Sequence, residues 1–574
     1  MDVQTLAAAL AIGERRKANL VAPEYDATST YEIGAIVMYK GTMYECTTTI
    51  STAEAWNADH WTKRTLEYYL SQIGVEYPRF GVSGVGKSTS KLARLWTSAD
   101  LSEPTPGTDT IPCSSPYDAY APFNRKKCVG NWVLDAASAT PKAKFNVQAY
   151  YGDADYAEDG TMGDYVAVEI TPFYYFESGD MLGVSEHQFP GWKIHPVCVD
   201  YDGNIRAKTY IPCYALALKN NKAVSLPGYH QEANSYSGLW TSCQKYNNVD
   251  VKTLTMLTPS AVDHYQWLLF TIEYATQNCQ SVMQGFVNSS YSDSVKVTAV
   301  PTANQVVIAG WNASKFLVGE SINLASSIWG REEATQLRCI TAVARCDETG
   351  TASDTGNYTL YTYDGDDLSS AITVGTTILM ARPWITGATD GHAYGVAAVK
   401  GHTGSPVSNT NGMYPMRYRW VENVWGTCFM TSHDLADVRV DDGDGNYHIE
   451  WYYNTDPRKV TVPYNYSQSD LSNTAKGWTK LGITTPYSDG YISELGYDAR
   501  YPHIKVPVAT TASSASYYCD YAYLVNSYVV RSVRRRGNLN NGSNAGLCCF
   551  NANYAPSNAD WNCGGELYPI PAPA

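Results

Sequence analysis

The chain has 574 residues and a mass of 63.1 kDa, which predicts about three or four domains rather than one compact core. Its 42 basic and 56 acidic residues give a formal net charge of −14, which argues against a nucleic-acid or anionic-membrane partner because phosphate requires a basic face. With 17% charged and 44% hydrophobic residues, it is not a disordered chain. Tyrosine is the unusual component: 46 Tyr stand against 15 Trp and 11 Phe, and a flat ring with a hydroxyl suits recognition surfaces.

The first 23 residues predict an attachment segment. The apolar run from Leu6 to Ile12 precedes the positive charges, which is the reverse of their order in a secretory signal peptide. We therefore expect a short amphipathic helix within 1–23 that serves attachment or trimer contact. The sequence has no run of about 18 apolar residues, so we expect no membrane span.

Common motifs of enzymes and metal sites are missing from the sequence. The 14 cysteines form no Cys-x-x-Cys pair, and neither His-Glu-x-x-His nor Gly-x-Ser-x-Gly occurs. We predict mostly buried thiols rather than a disulfide framework, and we expect no metal, no cofactor and no catalytic residues.

One exception is the string GVSGVGKST at Gly81–Thr89, which matches the Walker A pattern. A P-loop joins a buried strand to a helix N-terminus, where backbone amides cradle phosphate. Here Pro78 interrupts the preceding strand, and Pro104 and Pro106 leave barely two turns for a following helix. The sequence therefore predicts a glycine-rich loop and not a nucleotide site.

Residues 24–66 predict a self-contained β-module. The alternation over Tyr31–Cys46 indicates two short strands about a Lys-Gly turn, and Trp56 and Trp61 follow. This pattern resembles the small chitin-binding-type carbohydrate modules, which stack sugar rings on exposed aromatic faces. The resemblance implies weak carbohydrate contacts, whereas in a domain this small the aromatic rings also serve as core, the interpretation that we favour slightly. The residues concerned are Tyr39, Tyr44, Trp56 and Trp61.

The next segments are linker and mixed structure. Prolines, glycines and serines predict linker and irregular structure over 67–125, and strand patterns begin at about 126. Within 126–290 the best helix is Asp263–Gly285, where apolar residues recur at helical spacing. Its polar residues Glu273, Gln277, Gln280 and Gln284 are either catalytic groups or, more commonly for such a face, solvated or capping groups.

Residues 291–384 predict a small β-barrel inserted into a larger domain that resumes at 385–574. Short strands recur there between turns, as in Tyr358–Tyr363 before the turn at Asp364–Asp367. The acidic turns at 364–367 and 441–446 are either hairpin turns or calcium loops. We favour hairpin turns, because the bidentate glutamate of a twelve-residue calcium loop does not follow either of them.

The C-terminal segment from about 517 to 567 has an unusual composition. Asparagine is dense there but alternates with small or apolar residues, as in Asn551-Ala552-Asn553. Asparagine disfavours both helix and strand, so this pattern predicts irregular backbone with polar side chains projecting from a semi-buried scaffold.

This segment closely resembles the variable region of diversity-generating retroelement target proteins, which have a C-type lectin fold of the formylglycine-generating-enzyme type. The strings NNGSNAG at 540–546 and SNADWN at 557–562 carry the resemblance, together with ENVWG at 422–426. It covers about 390–568 strongly and 126–290 plausibly. The implied fold class is a multi-domain, β-rich α+β protein: a carbohydrate-module-like β domain, then a C-type lectin domain with an inserted small β-barrel.

In that family, adenine-directed mutagenesis rewrites Asn-type codons at ligand-contacting positions. The resemblance implies a diversified surface here, with about a third of the asparagines acting instead as structural turn-formers. The positions that fit are Tyr521, Tyr523, Asn538, Asn540, Asn541, Asn544, Cys549, Asn551, Asn553, Tyr554, Asn558, Asp560 and Asn562.

The segment also departs from the family pattern. Leu539 stands where tryptophan is usual, Cys563 replaces isoleucine, and Glu566 replaces arginine. The run Arg534–Arg536 is more basic than the usual apolar approach to the loop. These differences concern local packing.

The expected function is that of a phage structural protein, a tail or head fibre component on the virion surface, made in the host cytoplasm without a signal peptide. Its expected partners are a host cell-surface receptor, either protein or glycan, and other virion proteins, with a homo-trimer as one arrangement. Two other hypotheses remain: a phage enzyme that degrades cell-wall polysaccharide and carries a carbohydrate module, and a cellular retroelement-linked surface protein. A pair of carboxylates converging in a cleft would favour the enzyme.

Overall fold

The computed structural model describes residues 23–64, 77–134, 143–246, 255–289, 295–326, 337–391, 397–407 and 411–569. The predicted attachment segment at 1–23 therefore lies outside the described residues except for its last position. Within them the protein is β-rich, with 34 strands and three α-helices. None of these helices combines the length and apolar character that crossing a membrane requires.

The N-terminal module is a three-stranded antiparallel sheet in the order β1-β2-β3. Lys40 and Gly41 both have positive φ, 50° and 73°, as a two-residue hairpin turn requires. Val37, Cys46, Ile50 and Trp61 form its small core. The strands are β1 (Ile36–Tyr39), β2 (Thr42–Cys46) and β3 (Trp61–Lys63).

The segment from 77 to 289 contributes twelve strands and two helices. The strands are β4 (Phe80–Ser83), β5 (Ala93–Trp96), β6 (Lys126–Leu134), β7 (Ala143–Tyr150), β8 (Tyr165–Ile170), β9 (Tyr174–Ser178), β10 (Met181–Ser185), β11 (Lys193–Ile194), β12 (Thr209–Pro212), β13 (Ala217–Lys219), β14 (Lys222–Val224) and β15 (Thr255–Met256). The helices are α1 (Tyr236–Cys243) and α2 (Ser260–Tyr274). Two of the sheets have the orders β11-β9-β10-β4-β5 and β12-β8-β6-β7.

Strands β4 and β5 correct the prediction of irregular structure over 67–125. Phe80 and Val82 are buried in the main core, so the strand pattern was present but was hidden by the prolines around it. The Walker-like string covers the end of β4 and most of the turn to β5, in which Ser83 pairs with Ala93. A strand follows the string instead of a helix, which confirms that it is a loop. The Gly86 amide already donates to Gln277 Oε1 at 2.8 Å.

Helix α2 is buried on nearly all sides and is shorter than the predicted Asp263–Gly285. It begins at Ser260 and ends at Tyr274, because Ala275 adopts a left-handed conformation with φ 48°. Glu273 is fully buried and pairs with Arg419 Nη2 at 2.7 Å. The interpretation of Glu273 as part of a solvated face is therefore wrong.

The region predicted as an inserted barrel is one antiparallel six-stranded sheet in the order β16-β17-β20-β19-β18-β21. Its two edge strands meet through a bridge between Lys296 and Ile378, which closes the sheet on itself. The sequence missed β18, since every one of its residues is buried and no alternation marks it. The strands are β16 (Val297–Ala299), β17 (Gln305–Ala309), β18 (Ser321–Ala325), β19 (Arg338–Cys346), β20 (Tyr358–Tyr363) and β21 (Ile378–Arg382).

The C-terminal part is built on an eight-stranded sheet in which β26-β25-β24-β31-β32-β30-β27 are neighbours and β33 pairs with β24. The pair β30–β32 is parallel. The remaining elements are β22 (Arg417–Tyr418), β23 (Val421–Glu422), β24 (Phe429–Gly443), β25 (Asn446–Asn454), α3 (Gln468–Leu471), β26 (Trp478–Pro486), β27 (Gly490–Tyr491), β28 (Glu494–Gly496), β29 (Val506–Ala509), β30 (Tyr521–Tyr523), β31 (Val530–Arg535), β32 (Phe550–Tyr554), β33 (Cys563–Gly564) and β34 (Tyr568–Pro569).

One core joins segments that are far apart in sequence. Residues from Phe80 on β4, Phe270 on α2 and Phe550 on β32 belong to the same buried cluster. The last strand, β34, pairs with β15, which directly precedes α2. The segments before and after the barrel therefore share one core, which supports the C-terminal loops.

Candidate functional site

The loop that carries the NNGSNAG string is held mainly through its backbone. Gln280 Nε2 donates to the carbonyls of Gly542 at 2.8 Å and Ala545 at 2.7 Å. The Gly542 amide donates to the Val287 carbonyl at 2.9 Å, and the Leu539 amide donates to the Thr427 carbonyl at 3.2 Å. These contacts use only the loop's backbone, so the loop keeps its path when Ser543 or Asn544 changes. The side chains of Asn538 and Asn541 differ, because Asn538 Oδ1 accepts from the Asn540 amide at 3.1 Å and Asn541 Oδ1 accepts from the Asn538 amide at 2.7 Å.

The side chains of this loop meet the tyrosines of the neighbouring strands. Tyr523 Oη accepts hydrogen bonds from Asn541 Nδ2 at 3.1 Å and Asn544 Nδ2 at 2.8 Å. Tyr491 Oη donates to Asn544 Oδ1 at 2.6 Å and lies 2.9 Å from Ser543 Oγ. We call this group the Tyr/Asn patch; its members are Tyr491, Tyr521, Tyr523, Asn541, Ser543 and Asn544.

The rings of the patch lie against one another at its surface. Tyr521 and Tyr523 have ring centroids 4.7 Å apart, and Tyr491 meets Tyr521 edge-on at 5.1 Å. All three rings are half-buried, while Ser543 is exposed. Burial raises the pKa of Tyr521 and of Tyr523, so both hydroxyls stay neutral and able to donate or accept. The patch therefore offers aromatic faces and neutral polar groups side by side.

A second group of predicted contact residues lies at the far end of β32. The Tyr554 ring packs against the Arg534 guanidinium at 4.3 Å, and its hydroxyl accepts from Asn562 Nδ2 at 3.2 Å. Asn558 Oδ1 accepts from the Ala555 amide at 2.7 Å. Burial raises the pKa of the half-buried Asp560 carboxyl, against the opposing charge of Arg534. Strand β32 connects this group to the patch, since Tyr523 pairs with Asn551.

Four of the thirteen predicted contact positions are buried. Asn538, Asn551 and Asn562 are 3% exposed and Cys549 is fully buried, so these four side chains present almost no surface to a ligand, and their contact role stays a prediction. Asn538 is instead a turn-former, because its Oδ1 accepts from the Asn540 amide at 3.1 Å. The other nine are half-buried or exposed, namely Tyr521, Tyr523, Asn540, Asn541, Asn544, Asn553, Tyr554, Asn558 and Asp560.

Two departures from the family pattern complement each other. Arg536 Nη1 donates to Glu566 Oε1 at 2.7 Å, and Arg536 Nε donates to Asp263 Oδ1 on α2 at 2.9 Å. All three groups are buried beneath the loop. A buried arginine requires such partners, so the extra arginine and the unusual glutamate belong to one ion network. Leu539 is likewise fully buried and shares the hydrophobic cluster of the barrel.

The rings of the N-terminal module pack mainly on each other. Trp56 stacks on Tyr39 with centroids 3.9 Å apart, lies nearly parallel to Trp61 at 5.3 Å, and meets the edge of Tyr44 at 4.8 Å. Trp61 is 5% exposed, and the other three rings are half-buried. This arrangement favours the core interpretation over an open sugar-stacking face.

A cavity of about 300 Å³ lies beside the start of α2. Its lining includes Asp200 and Asp434, the residue type that the hydrolase hypothesis requires. Both carboxylates already accept hydrogen bonds from within the protein. Asp434 accepts from the Ser260 hydroxyl at 2.6 Å, and Asp200 accepts from the Asn204 backbone amide at 2.8 Å. Burial raises the pKa of Asp434 to about 6. Across the described ranges, no three His, Cys, Asp or Glu side chains are grouped so that they could hold a metal ion.

Sequence reasoning missed several residues of the site. Tyr491 lies before the asparagine-rich segment at 517–567 and joins it only because β27 pairs with β30, which aligns Tyr491 with Tyr521. Ser543 lay within the quoted NNGSNAG string, but it was not among the predicted contacts. Gln280 was noted only as one polar residue of the supposed helix face. Its role in holding the loop depends on a contact across more than 260 residues.

No protein-family model matches this chain, and no curated protein is significantly similar to it in sequence.

Proposed function

We propose that this protein is a receptor-binding component of a phage particle, a tail or head fibre protein, and that the Tyr/Asn patch is part of its ligand-contacting surface. The observation that carries the proposal is that the backbone and the side chains of the loop at 537–549 have different partners. Its backbone is held by Gln280, Val287 and Thr427, whereas the side chains of Asn541, Ser543 and Asn544 meet the tyrosines of the patch. A loop of this kind tolerates changes of side chain without a change of fold.

The resemblance of the C-terminal segment to the variable regions of retroelement target proteins supports the same proposal. In that interpretation the domain has a C-type lectin fold, the barrel is its insertion, and the N-terminal segment attaches the protein to the virion. The ligand is a host surface protein or glycan. Half-buried tyrosine rings supply stacking area, and the amide and hydroxyl groups around them supply hydrogen bonds.

The proposal predicts that the loop can be rewritten. We expect the triple variant Asn540→Tyr, Ser543→Asp, Asn544→Ser to change which cells or glycans the full chain binds, with a loss of unfolding free energy of no more than about 1 kcal/mol. Labelled protein applied to a panel of bacterial cells and to a glycan array measures the first, and thermal unfolding measures the second.

The matched control is Glu348→Ser with Thr349→Tyr, a change of two exposed residues on the barrel. It should leave the binding profile as it was. An unchanged profile in the triple variant, or collapse of its fold, would contradict the proposal. Release of soluble saccharide from cell walls by the unmodified chain would instead favour the polysaccharide-degrading enzyme.

A further inference from the structure

The cavity beside the start of α2 has the form of a small-molecule site. Its volume of about 300 Å³ lies at the lower end of the range for such sites, which is about 300–1,000 Å³. Buried apolar side chains line it, among them Ile211 on β12, Met256 on β15 and Val262 on α2. The lining also includes exposed Gly203 in a surface turn, so a small molecule can enter from that side. No residue of the Tyr/Asn patch lines this cavity.

Half-buried Arg206 brings a positive charge to the cavity wall. Its backbone is fixed in a tight hairpin, because Val199 pairs with Ile205 and the Arg206 amide donates to the Cys198 carbonyl at 2.8 Å. Its guanidinium has few contacts: Nη1 lies 3.5 Å from the Val197 carbonyl, and Nε is buried without a hydrogen-bond partner. Within the described ranges this guanidinium forms no ion pair. An arginine removed from water normally has a carboxylate partner, so the cavity wall carries an unpaired cation.

The two carboxylates of the lining have other donors. Asp200 belongs to the same hairpin as Arg206, and its Oδ1 accepts from the amides of Asp202 at 2.9 Å and Asn204 at 2.8 Å. Asp434 Oδ1 accepts from the Ser260 amide at 3.0 Å and from the Ser260 hydroxyl at 2.6 Å. These bonds hold each carboxylate in its own turn or helix start, and neither carboxylate is hydrogen-bonded to Arg206.

Two neutral polar side chains add hydrogen-bonding capacity to the wall. Tyr453 on β25 and His503 both line the cavity, and their rings meet edge-on with centroids 5.8 Å apart. Among the residues that the structure describes, no hydrogen bond of the Tyr453 hydroxyl or of the His503 ring is found. Burial lowers the pKa of His503 to about 3, so its ring is neutral and has one donor and one acceptor nitrogen.

We propose that this cavity binds a small organic monocarboxylate with a compact apolar body. The carboxylate pairs with the Arg206 guanidinium, whose planar donors match its geometry, and the apolar body lies against Ile211, Met256 and Val262. A phosphate dianion fits less well, because the wall has one cation and also carries the carboxylates of Asp200 and Asp434. A sugar fits less well because most of its hydroxyls would face apolar walls. The proposal is independent of the receptor-binding role of the Tyr/Asn patch.

The test is titration of the native full chain with three acids, hexanoate, cyclohexanecarboxylate and 3-phenylpropionate, each beside its neutral amide. Ligand-observed NMR measures the dissociation constants. We expect saturable binding of at least one acid with a dissociation constant of about 1 mM or tighter, which suits a ligand of this size. The matching amide has the same shape without the charge, so it should bind about tenfold more weakly.

Variants separate the charge from the cavity. Arg206→Met should weaken binding of the acid about tenfold and leave binding of the amide nearly unchanged, whereas Arg206→Lys should keep most of the acid's affinity. Ala261→Leu adds volume to the lining on α2 and should weaken the acid and the amide alike.

The matched control is Arg345→Met, which removes another half-buried arginine, one that donates to the Gly356 carbonyl at 2.6 Å on the barrel. It should leave binding of the acid unchanged. Three results would overturn the proposal: no saturable binding of any of the three acids, an amide that binds as tightly as its acid, or an affinity for the acid that Arg206→Met does not change. If Arg206→Met fails to fold, Ala261→Leu and the comparison of acid with amide on the native chain still decide the matter.

Discussion

The N-terminal module and the Tyr/Asn patch both concentrate tyrosine, but they use it differently. In the module the rings pack on one another, as Tyr39 does on Trp56 at 3.9 Å, and no hydrogen bond of the Tyr39 hydroxyl is found among the described residues. In the patch the Tyr523 hydroxyl accepts from two asparagine side chains on a neighbouring loop.

The difference lies in what the hydroxyl does. A ring packed on rings contributes apolar area and is part of a core, whereas a half-buried ring whose hydroxyl meets polar side chains of another loop is suited to a binding surface. Where hydroxyls of the module do bond, they bond to backbone: Tyr25 Oη donates to the Glu54 carbonyl at 2.8 Å and Tyr31 Oη to the Asp26 carbonyl at 3.0 Å. A tyrosine count alone does not separate the two uses, but the kind of partner of each hydroxyl does.

The largest expected effect concerns the buried ion network of Arg536, Glu566 and Asp263. Arg536→Met leaves Glu566 as a buried carboxylate without its cation and Asp263 with only the more distant Arg535 Nε at 3.6 Å, so we expect a loss of about 3–5 kcal/mol in the free energy of unfolding. Chemical denaturation measures it. Arg500→Met is the control, because Arg500 pairs with Asp498 while 55% exposed, and its loss should be much smaller. Equal losses of unfolding free energy in the two variants would contradict the distinction between the buried ion network of Arg536 and the surface ion pair of Arg500.

A second test measures how stability depends on pH through a buried carboxyl of the barrel, which packs beside the loop. Burial raises the pKa of fully buried Glu320 to about 8, against hydrogen bonds from Ser289 and the Leu317 amide. A carboxyl whose pKa is raised on folding binds its proton more tightly when folded, so its contribution to stability is complete below pH 4.5 and is lost as pH rises through about 8.

The expected slope from this residue is about 1.4 kcal/mol per pH unit within that window. Glu320→Gln should remove this slope, so the unfolding free energy of the variant should rise relative to that of the native chain between pH 6 and 8. Unfolding curves at several pH values measure the difference. The module should not respond in this way, because its carboxylates are exposed or half-exposed. A slope that persists in Glu320→Gln would show that another group is responsible.

The smallest effect compares the two kinds of tyrosine directly. Tyr523→Phe removes the acceptor of Asn541 and Asn544, and we expect a loss of about 1 kcal/mol together with weaker ligand binding. Tyr39→Phe keeps the ring on Trp56 and should change stability by less than about 0.5 kcal/mol. Thermal unfolding of both variants measures the contrast. A larger loss for Tyr39→Phe would reverse the roles assigned to the two regions.

Local patterns predicted much of the strand content. Alternation identified the hairpin about Lys40-Gly41 and most strands of the barrel, because a strand with one solvated face repeats every two residues. Strands without that repeat were missed: β18 is buried throughout, and β4 was hidden among prolines. Helix α2 was extended too far, since nothing in the sequence marks Ala275 as a left-handed residue.

The site was predicted only in part, because several of its contacts join residues that are far apart in sequence. The resemblance to retroelement variable regions pointed to the loop at 537–549 and to the tyrosines of β30, which are near each other in sequence. Tyr491 and Gln280 were not predictable, because each meets its partner across a long stretch of chain. The same holds for Arg536, whose partner on α2 lies 273 positions earlier.

From the sequence alone it follows that this chain is β-rich, has a tyrosine excess and carries an asparagine-rich polar segment near its C-terminus. These properties follow from composition and short-range periodicity. Only the tertiary structure shows which side chains reach the surface and which charges are paired beneath it. Burial and pairing are set by contacts between distant strands, and no local pattern encodes them.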